Sequence, residues 1–275
     1  MVAVQHNPLL LRSHAATLMV DRFEHAVRAL PRRPGYERSD LLTSQLLVAQ
    51  EAQFEVYYAP FDWMNENARV VLLGITPGWT QMAVAFQHAA TMLAAGGTLQ
   101  ECCREIKERA AFSGSMRINL VRMLDDIGLP VALNIDTTMQ LFSSARDLVH
   151  TTSALRYPVF VAQRNYTGSP APWKSTFLMR IARDQLVPEL AKVPRALIIP
   201  LGKTVESLLT ILAETTSVAQ ARWISGFPHP SGANGHRARQ FALNRNSLRK
   251  QVVQHFSNPL NAVGGTTAAL LPQDS

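Results

Sequence analysis

An α/β fold with a largely parallel central sheet is predicted by three features of the sequence. Two short apolar runs, Arg69-Val70-Val71-Leu72-Leu73-Gly74 and Ala196-Leu197-Ile198-Ile199-Pro200-Leu201-Gly202, both end in glycine. Helical periodicity follows each of them. Continuous apolar runs of this length are what strands buried on both faces require, and parallel sheets bury both faces. Strands that alternate with helices define the α/β class. Ligands in such sheets bind beyond the carboxyl ends of the strands, so the loops after Gly74 and Gly202 are the first places to look for a site.

The elements follow in order. Residues 1–60 read as a helical extension: Leu18, Phe23, Val27 and Leu30 share one stripe that stops at Pro31, and Leu41 to Gln53 reads as a second helix with Leu42, Leu46 and Ala49 on one face. After the Gly74–Gly78 turn a helix is expected from about Gln81 to Ala95, stopped by Gly96-Gly97. Thr98 with Glu101 forms a capping box for the next. Ser115 precedes a helix that Gly128 closes. Leu148 to Leu155 is expected as a strand, Arg164 to Trp173 as loop, Phe177 to Leu190 and Val205 to Leu212 as helices, and a short strand is expected near Trp223. A helix from His236 to Phe256 closes the fold. One domain over residues 1–257 and a frayed tail over 258–275 are expected.

The chain has 275 residues, 47% of them apolar, which is enough for a substantial core. A formal charge of +7 favours polyanionic partners such as nucleic acid. The two cysteines, Cys102 and Cys103, are adjacent, which gives no metal spacing and fits a reduced compartment. No apolar run reaches membrane-spanning length, and no secretory leader pattern is present. A cytoplasmic monomer with no membrane partner and no cofactor is the expectation.

The segment Gly226-Phe227-Pro228-His229-Pro230-Ser231-Gly232-Ala233-Asn234-Gly235-His236-Arg237 carries the strongest chemical signal. Proline fixes its own φ and pushes the residue before it to an extended conformation. His229 therefore sits on a stiff, non-helical loop, the kind of support catalytic groups use. Gly202-Lys203-Thr204 resembles the end of a phosphate-binding P-loop, but the required glycine five positions earlier is Leu197, inside a strand. Lys203 still opens a helix whose free N–H groups attract phosphate. In Gly74-Ile75-Thr76-Pro77-Gly78, the two glycines permit close backbone approach.

Taken in order, these motifs resemble the uracil-DNA glycosylase superfamily. The first is Leu73-Gly74-Ile75-Thr76-Pro77-Gly78. Ala111-Phe112-Ser113-Gly114 and Ile127-Gly128-Leu129 follow. The strand from Leu148 to Pro158 comes next, then Leu201-Gly202-Lys203, and His229-Pro230-Ser231 is last. The resemblance covers about Arg69 to Phe256 and implies a three-layer α/β/α sandwich. It places His229 as the donor to the departing base and Thr76 at the water-holding position. Ile75, Phe112, Thr152 and Ser153 fall in the base pocket. Gly74, Pro77, Gly78, Lys203, Ser231, Asn234, His236, Arg237 and Arg239 fall against DNA.

The chain departs from this pattern in three places. Ile75 and Thr76 stand where the superfamily carries a carboxylate or amide that positions water, and a hydroxyl is no general base at neutral pH. Thr152, beside Ser153, stands where an asparagine reads uracil. Two adjacent cysteines cannot hold the iron–sulfur cluster of some members. Asp62, Glu66, Asp125 and Asp126 are candidate displaced acids.

The resemblance implies a monofunctional DNA glycosylase that hydrolyses the N-glycosidic bond of a flipped base, with base–aromatic stacking at Phe112. The altered pocket implies a modified base, such as a hypermodified pyrimidine of phage DNA in a defence role. Removal of uracil itself in base-excision repair, and a catalytically inactive nucleic-acid binder, are the alternatives.

Overall fold

A computed structural model of the protein describes residues 19–110, 115–216, 218, 223–259 and 261. The elements are α1 (Met19–Arg28), α2 (Arg38–Leu41), β1 (Leu47–Glu51), β2 (Phe54–Tyr57), β3 (Val70–Gly74), α3 (Trp79–Ala94), α4 (Leu99–Ala110), α5 (Ser115–Asp126), α6 (Leu129–Leu133), β4 (Val149–Ser153), β5 (Val159–Val161), β6 (Arg164–Asn165), α7 (Thr176–Ala191), β7 (Leu197–Pro200), α8 (Lys203–Ala213) and α9 (Arg237–Ser257).

The sequence-predicted strands form a parallel sheet in the order β4-β3-β7. The central strand β3 is buried along Val70–Leu73. Its side chains alternate between two apolar clusters. Val71 and Leu73 join the cluster built from α1, α3, α4, α7 and α8, whereas Val70 and Leu72 join that of α5, α6 and α9. This two-sided burial is why the run reads as continuously apolar rather than alternating. Near Trp223 the expected strand reduces to a single parallel bridge to Ile198.

Helix boundaries follow local chemistry. The Thr98–Glu101 capping box forms as expected: the Thr98 N–H donates to Glu101 Oε2 at 2.8 Å, and the Glu101 N–H donates to Thr98 Oγ1 at 3.2 Å. Gly128 ends the α5 segment with a φ of 80°, a left-handed conformation that suits glycine.

Two expectations fail. The helix expected over 41–53 stops after the single turn of α2, and Leu47–Glu51 becomes β1. It pairs antiparallel with Phe54–Tyr57 across a tight turn at Ala52, which has a φ of 52°. The aromatic and β-branched residues of β2 supply the cross-strand partners that override the helical preference of Leu, Ala and Gln. Residues 164–173, expected as loop, begin with β6, which pairs with β5 through left-handed Ala162 and Gln163. These strands form a second, antiparallel sheet, β1-β2-β5-β6. No helix among the described residues is long and apolar enough to cross a membrane.

Candidate active site

The parallel register assembles the site. In β3, Leu73 is opposite Thr152 and Gly74 opposite Ser153 on one side, and Leu73 is opposite Pro200 on the other. The pairing continues past the strand ends, where the Ala154 and Leu155 N–H groups donate to Gly74 O and Ile75 O. Three loops thus leave one edge of the sheet at the same level. The fourth arrives from the His229 segment, where the Gly202 N–H donates to Phe227 O at 3.1 Å.

These loops enclose a cavity of about 90 Å³. Its walls include Gly74, Ile75, Thr76, Pro77, Thr152, Ser153 and His229 from the expected set, together with Phe61, Gln81, Lys107, Met116 and Arg156. Ile75, Thr76, Gln81, Met116 and His229 also line a much larger groove of about 700 Å³ that passes Gly78, Lys203, Ser231 and Asn234. The recess therefore opens on the groove at His229. Phe112 lies outside the described residues.

The His229 loop is held from several directions. The Ser231 N–H donates to His229 Nδ1 at 3.2 Å, and Asn234 Nδ2 donates to His229 O at 3.2 Å. Asn119 Nδ2, from α5, donates to Pro230 O at 3.1 Å. Because Nδ1 accepts a backbone hydrogen bond, the neutral ring carries its proton on Nε2. Burial pushes the imidazole pKa below its ordinary value, which favours the neutral ring. His229 is therefore a fixed neutral donor at the junction of recess and groove.

Two expected roles change. Thr76 donates its hydroxyl proton to Tyr157 O at 3.0 Å and accepts from the Val159 N–H at 3.1 Å. These bonds brace the turn against the segment after β4 and take the hydroxyl's only proton, so Thr76 is a wall residue of the cavity and a brace. Arg237, expected against phosphate, donates Nη1 to Ser231 O at 2.6 Å and to Pro230 O at 3.4 Å, tying α9 to the histidine loop. His236 and Arg239 are exposed, as phosphate contacts would be.

The candidate acids separate clearly. Glu66 is exposed and pairs with Lys192 at 2.9 Å. Asp125 accepts from the Thr137 and Thr138 hydroxyls and the Thr138 N–H. Asp62 accepts a short hydrogen bond from the Tyr157 hydroxyl, and burial raises its carboxyl pKa. Of the four, Asp62 alone neighbours the cavity, through Tyr157 and the adjoining wall residue Phe61.

Behind the cavity lies a buried charge cluster that the sequence reading did not isolate. Glu189 of α7 accepts from His150 Nε2 at 2.6 Å and from Arg156 Nη2 at 2.8 Å, and Lys107 Nζ stands 3.7 Å away. Burial opposes ionisation of Glu189, but the Arg156 and Lys107 charges outweigh it and hold the carboxyl far below the usual carboxylate range. Burial pushes His150 down to about 4 and Lys107 to about 8. The signal was available: Lys107 lies four residues after buried Cys103, and Glu189 three after buried Leu186, so each charge sits on an apolar stripe. Among the described residues no cluster suited to a metal ion occurs.

The protein named "Uncharacterized protein YoxB", from Bacillus subtilis (strain 168), is 43% identical to this chain over 233 residues, which is 84% of this chain and 90% of the relative. The chain belongs to the YoxB family. The YoxB match spans most of both chains and so extends far beyond the site motifs. No protein-family model matches the chain, and no solved structure matches it.

Proposed function

We propose that this protein is a monofunctional DNA glycosylase of the uracil-DNA glycosylase superfamily, built as a three-layer α/β/α sandwich. It hydrolyses the N-glycosidic bond of a base flipped into the cavity beside His229. The observation that carries the reading is the His229 tautomer. The Ser231 N–H occupies Nδ1, so Nε2–H is directed as a donor. Loss of a base from a sugar leaves negative charge on the base and positive charge on the sugar. A rigid neutral donor favours the first of these in the transition state, and losing a comparable donor costs about 3–4 kcal/mol.

The surroundings support the same chemistry. The recess takes the base and the groove takes the strand. Lys203 at the start of α8 and exposed Arg239 supply phosphate contacts. No carboxylate stands among the described residues that line the cavity, so leaving-group stabilisation dominates over base-activated water. Thr152 in place of an amide favours a modified base, most simply a hypermodified pyrimidine of phage DNA, over uracil.

The same absence of a wall carboxylate favours a second reading, a DNA binder without catalysis. One experiment separates the two. Purified protein is incubated with oligonucleotides carrying uracil, damaged bases or phage-type modified pyrimidines, then treated with alkali to cleave abasic sites. Strand cleavage at a modified base, faster than at uracil, is the expected result. Binding with every oligonucleotide left intact overturns the glycosylase reading.

A further inference from the structure

The geometry points to a subsite for a negatively charged, pyrimidine-sized ring on the inner wall of the cavity, built by Lys107, Thr152 and Arg156. This inference rests on the glycosylase reading for its occupant, a base.

Lys107 comes from α4, Thr152 from β4 and Arg156 from the turn after β4, and all three form part of one cavity wall. Lys107 and Thr152 are more than nine-tenths buried. Lys107 Nζ, Thr152 Oγ1 and Arg156 Nε are each shielded from solvent, and none has a hydrogen-bond partner. Buried polar groups in native proteins are almost always paired, and an unpaired one costs about 1–3 kcal/mol, more if charged. Three such groups around one recess mark a place where a ligand completes the bonding.

The missing partner is an acceptor. An ammonium offers only donors, as does the Nε–H of arginine, and the threonine hydroxyl can donate. Among the described residues, the carboxylate within ion-pair distance of the two cations is Glu189. It already accepts from His150 and Arg156, and it leaves Lys107 at 3.7 Å. Asp62 adds a carboxylate on the Tyr157 side: its Oδ1 accepts from the Tyr157 hydroxyl, and its buried Oδ2 has no hydrogen-bond partner. Charge-assisted bonds to an anionic acceptor are about twice as strong as neutral ones. The negative charge has two possible sources: the ring anion left when the glycosidic bond breaks, or an acidic substituent carried by the base.

The test is titration calorimetry with two free bases that differ at one ring position, uracil-5-carboxylate and thymine. The carboxylate should bind at least about tenfold more tightly. Lys107→Met should abolish that preference while thymine binding stays within about twofold. Thr152→Val, nearly isosteric, should reduce the preference several-fold, and it serves if Lys107→Met fails a thermal-melt check for folding. Equal binding of the two bases, failure of the carboxylate to bind, or a preference that survives in both variants overturns the subsite. Single-turnover release from oligonucleotides with uracil or 5-carboxyuracil then separates the sources. Slowing of both substrates by Lys107→Met assigns the ring anion, and slowing of the carboxylated one alone assigns the substituent. Free-base binding needs no bond cleavage. A charge preference with every oligonucleotide intact would remove the glycosylase reading and keep the subsite, and cleavage without a charge preference would do the reverse.

Discussion

Gly202 leaves no room for a side chain beside His229 at the mouth of the site: a Cβ added to Gly202 would lie 3.0 Å from His229 Cβ. Gly202 also has a φ of 96° and a ψ of 160°, a region that only glycine enters without strain. The position of the histidine loop is therefore set by the residue that ends the β7 turn. Gly202→Ala should displace the loop, lower stability by about 1–3 kcal/mol, and cut base release more than DNA binding. Thermal melts and single-turnover assays on the same preparation read both effects.

His229→Ala removes the donor. Base release should fall at least about a hundredfold, the order seen for loss of an oxyanion-hole donor. DNA affinity should change little. A folded variant with unaltered turnover would take His229 out of the mechanism.

The same histidine sets an acid limit. Its folded pKa lies below the ordinary value of 6.5, so the fold favours the neutral ring. Protonation would place a proton on Nδ1 against the Ser231 N–H, two donors face to face. The stability from this ring is present above about pH 6.5 and is lost as pH falls through the lower folded pKa. Base release should stay flat across neutral pH and decline only below the ordinary histidine range. A decline centred at or above pH 6.5 would mean that the ring is not held neutral.

Arg237 and Arg239 should separate experimentally. Arg237 ties the histidine loop, whereas Arg239 is exposed. Arg239→Ala should weaken DNA binding and make the dependence of log affinity on log salt shallower, by up to about one unit. Arg237→Ala should chiefly slow base release. Equal salt slopes for the two variants would contradict this division.

Glu189 should matter to folding more than its distance from solvent suggests. Glu189→Gln strips the counter-charge from Lys107 and Arg156 and leaves one amide oxygen where two carboxylate oxygens accept from His150 and Arg156. Breaking a buried pair from one side costs about 3–5 kcal/mol. Urea unfolding should show a lower midpoint with an unchanged slope.

The sequence made the mouth of the site legible and hid its floor. Gly74, Gly202 and His229 carry local signals: strand-ending glycines and a histidine between two prolines impose backbone geometry within a few residues. The parallel register then brings Thr152 and Ser153 beside Leu73 and Gly74, as the alternation of strands and helices implied. Lys107 and Glu189 each carry a local signal, a charge on an apolar stripe, but their meeting with Arg156 depends on how α4 and α7 pack around the sheet, which no local pattern encodes. The strand at 47–51 escaped for a related reason. Its residues suit a helix, and only pairing with Phe54–Tyr57 makes them a strand. Thr76 lines the cavity and Arg237 ties α9 to the histidine loop, through bonds to backbone carbonyls that follow from loop paths the sequence does not specify.

Strand β3 touches both of its neighbours at Leu73, opposite Thr152 on one side and Pro200 on the other. That shared rung works as a ruler for the whole mouth. A one-residue insertion or deletion within β3 would shift the Gly74–Gly78 turn against both neighbours at once and send its side chains to the wrong cores. Substitutions at the strand tips leave the ruler intact. On the glycosylase reading, descendants of this chain would trade one substrate for another by changing side chains such as Ile75 and Thr152, while the lengths of the strands beneath them stay fixed.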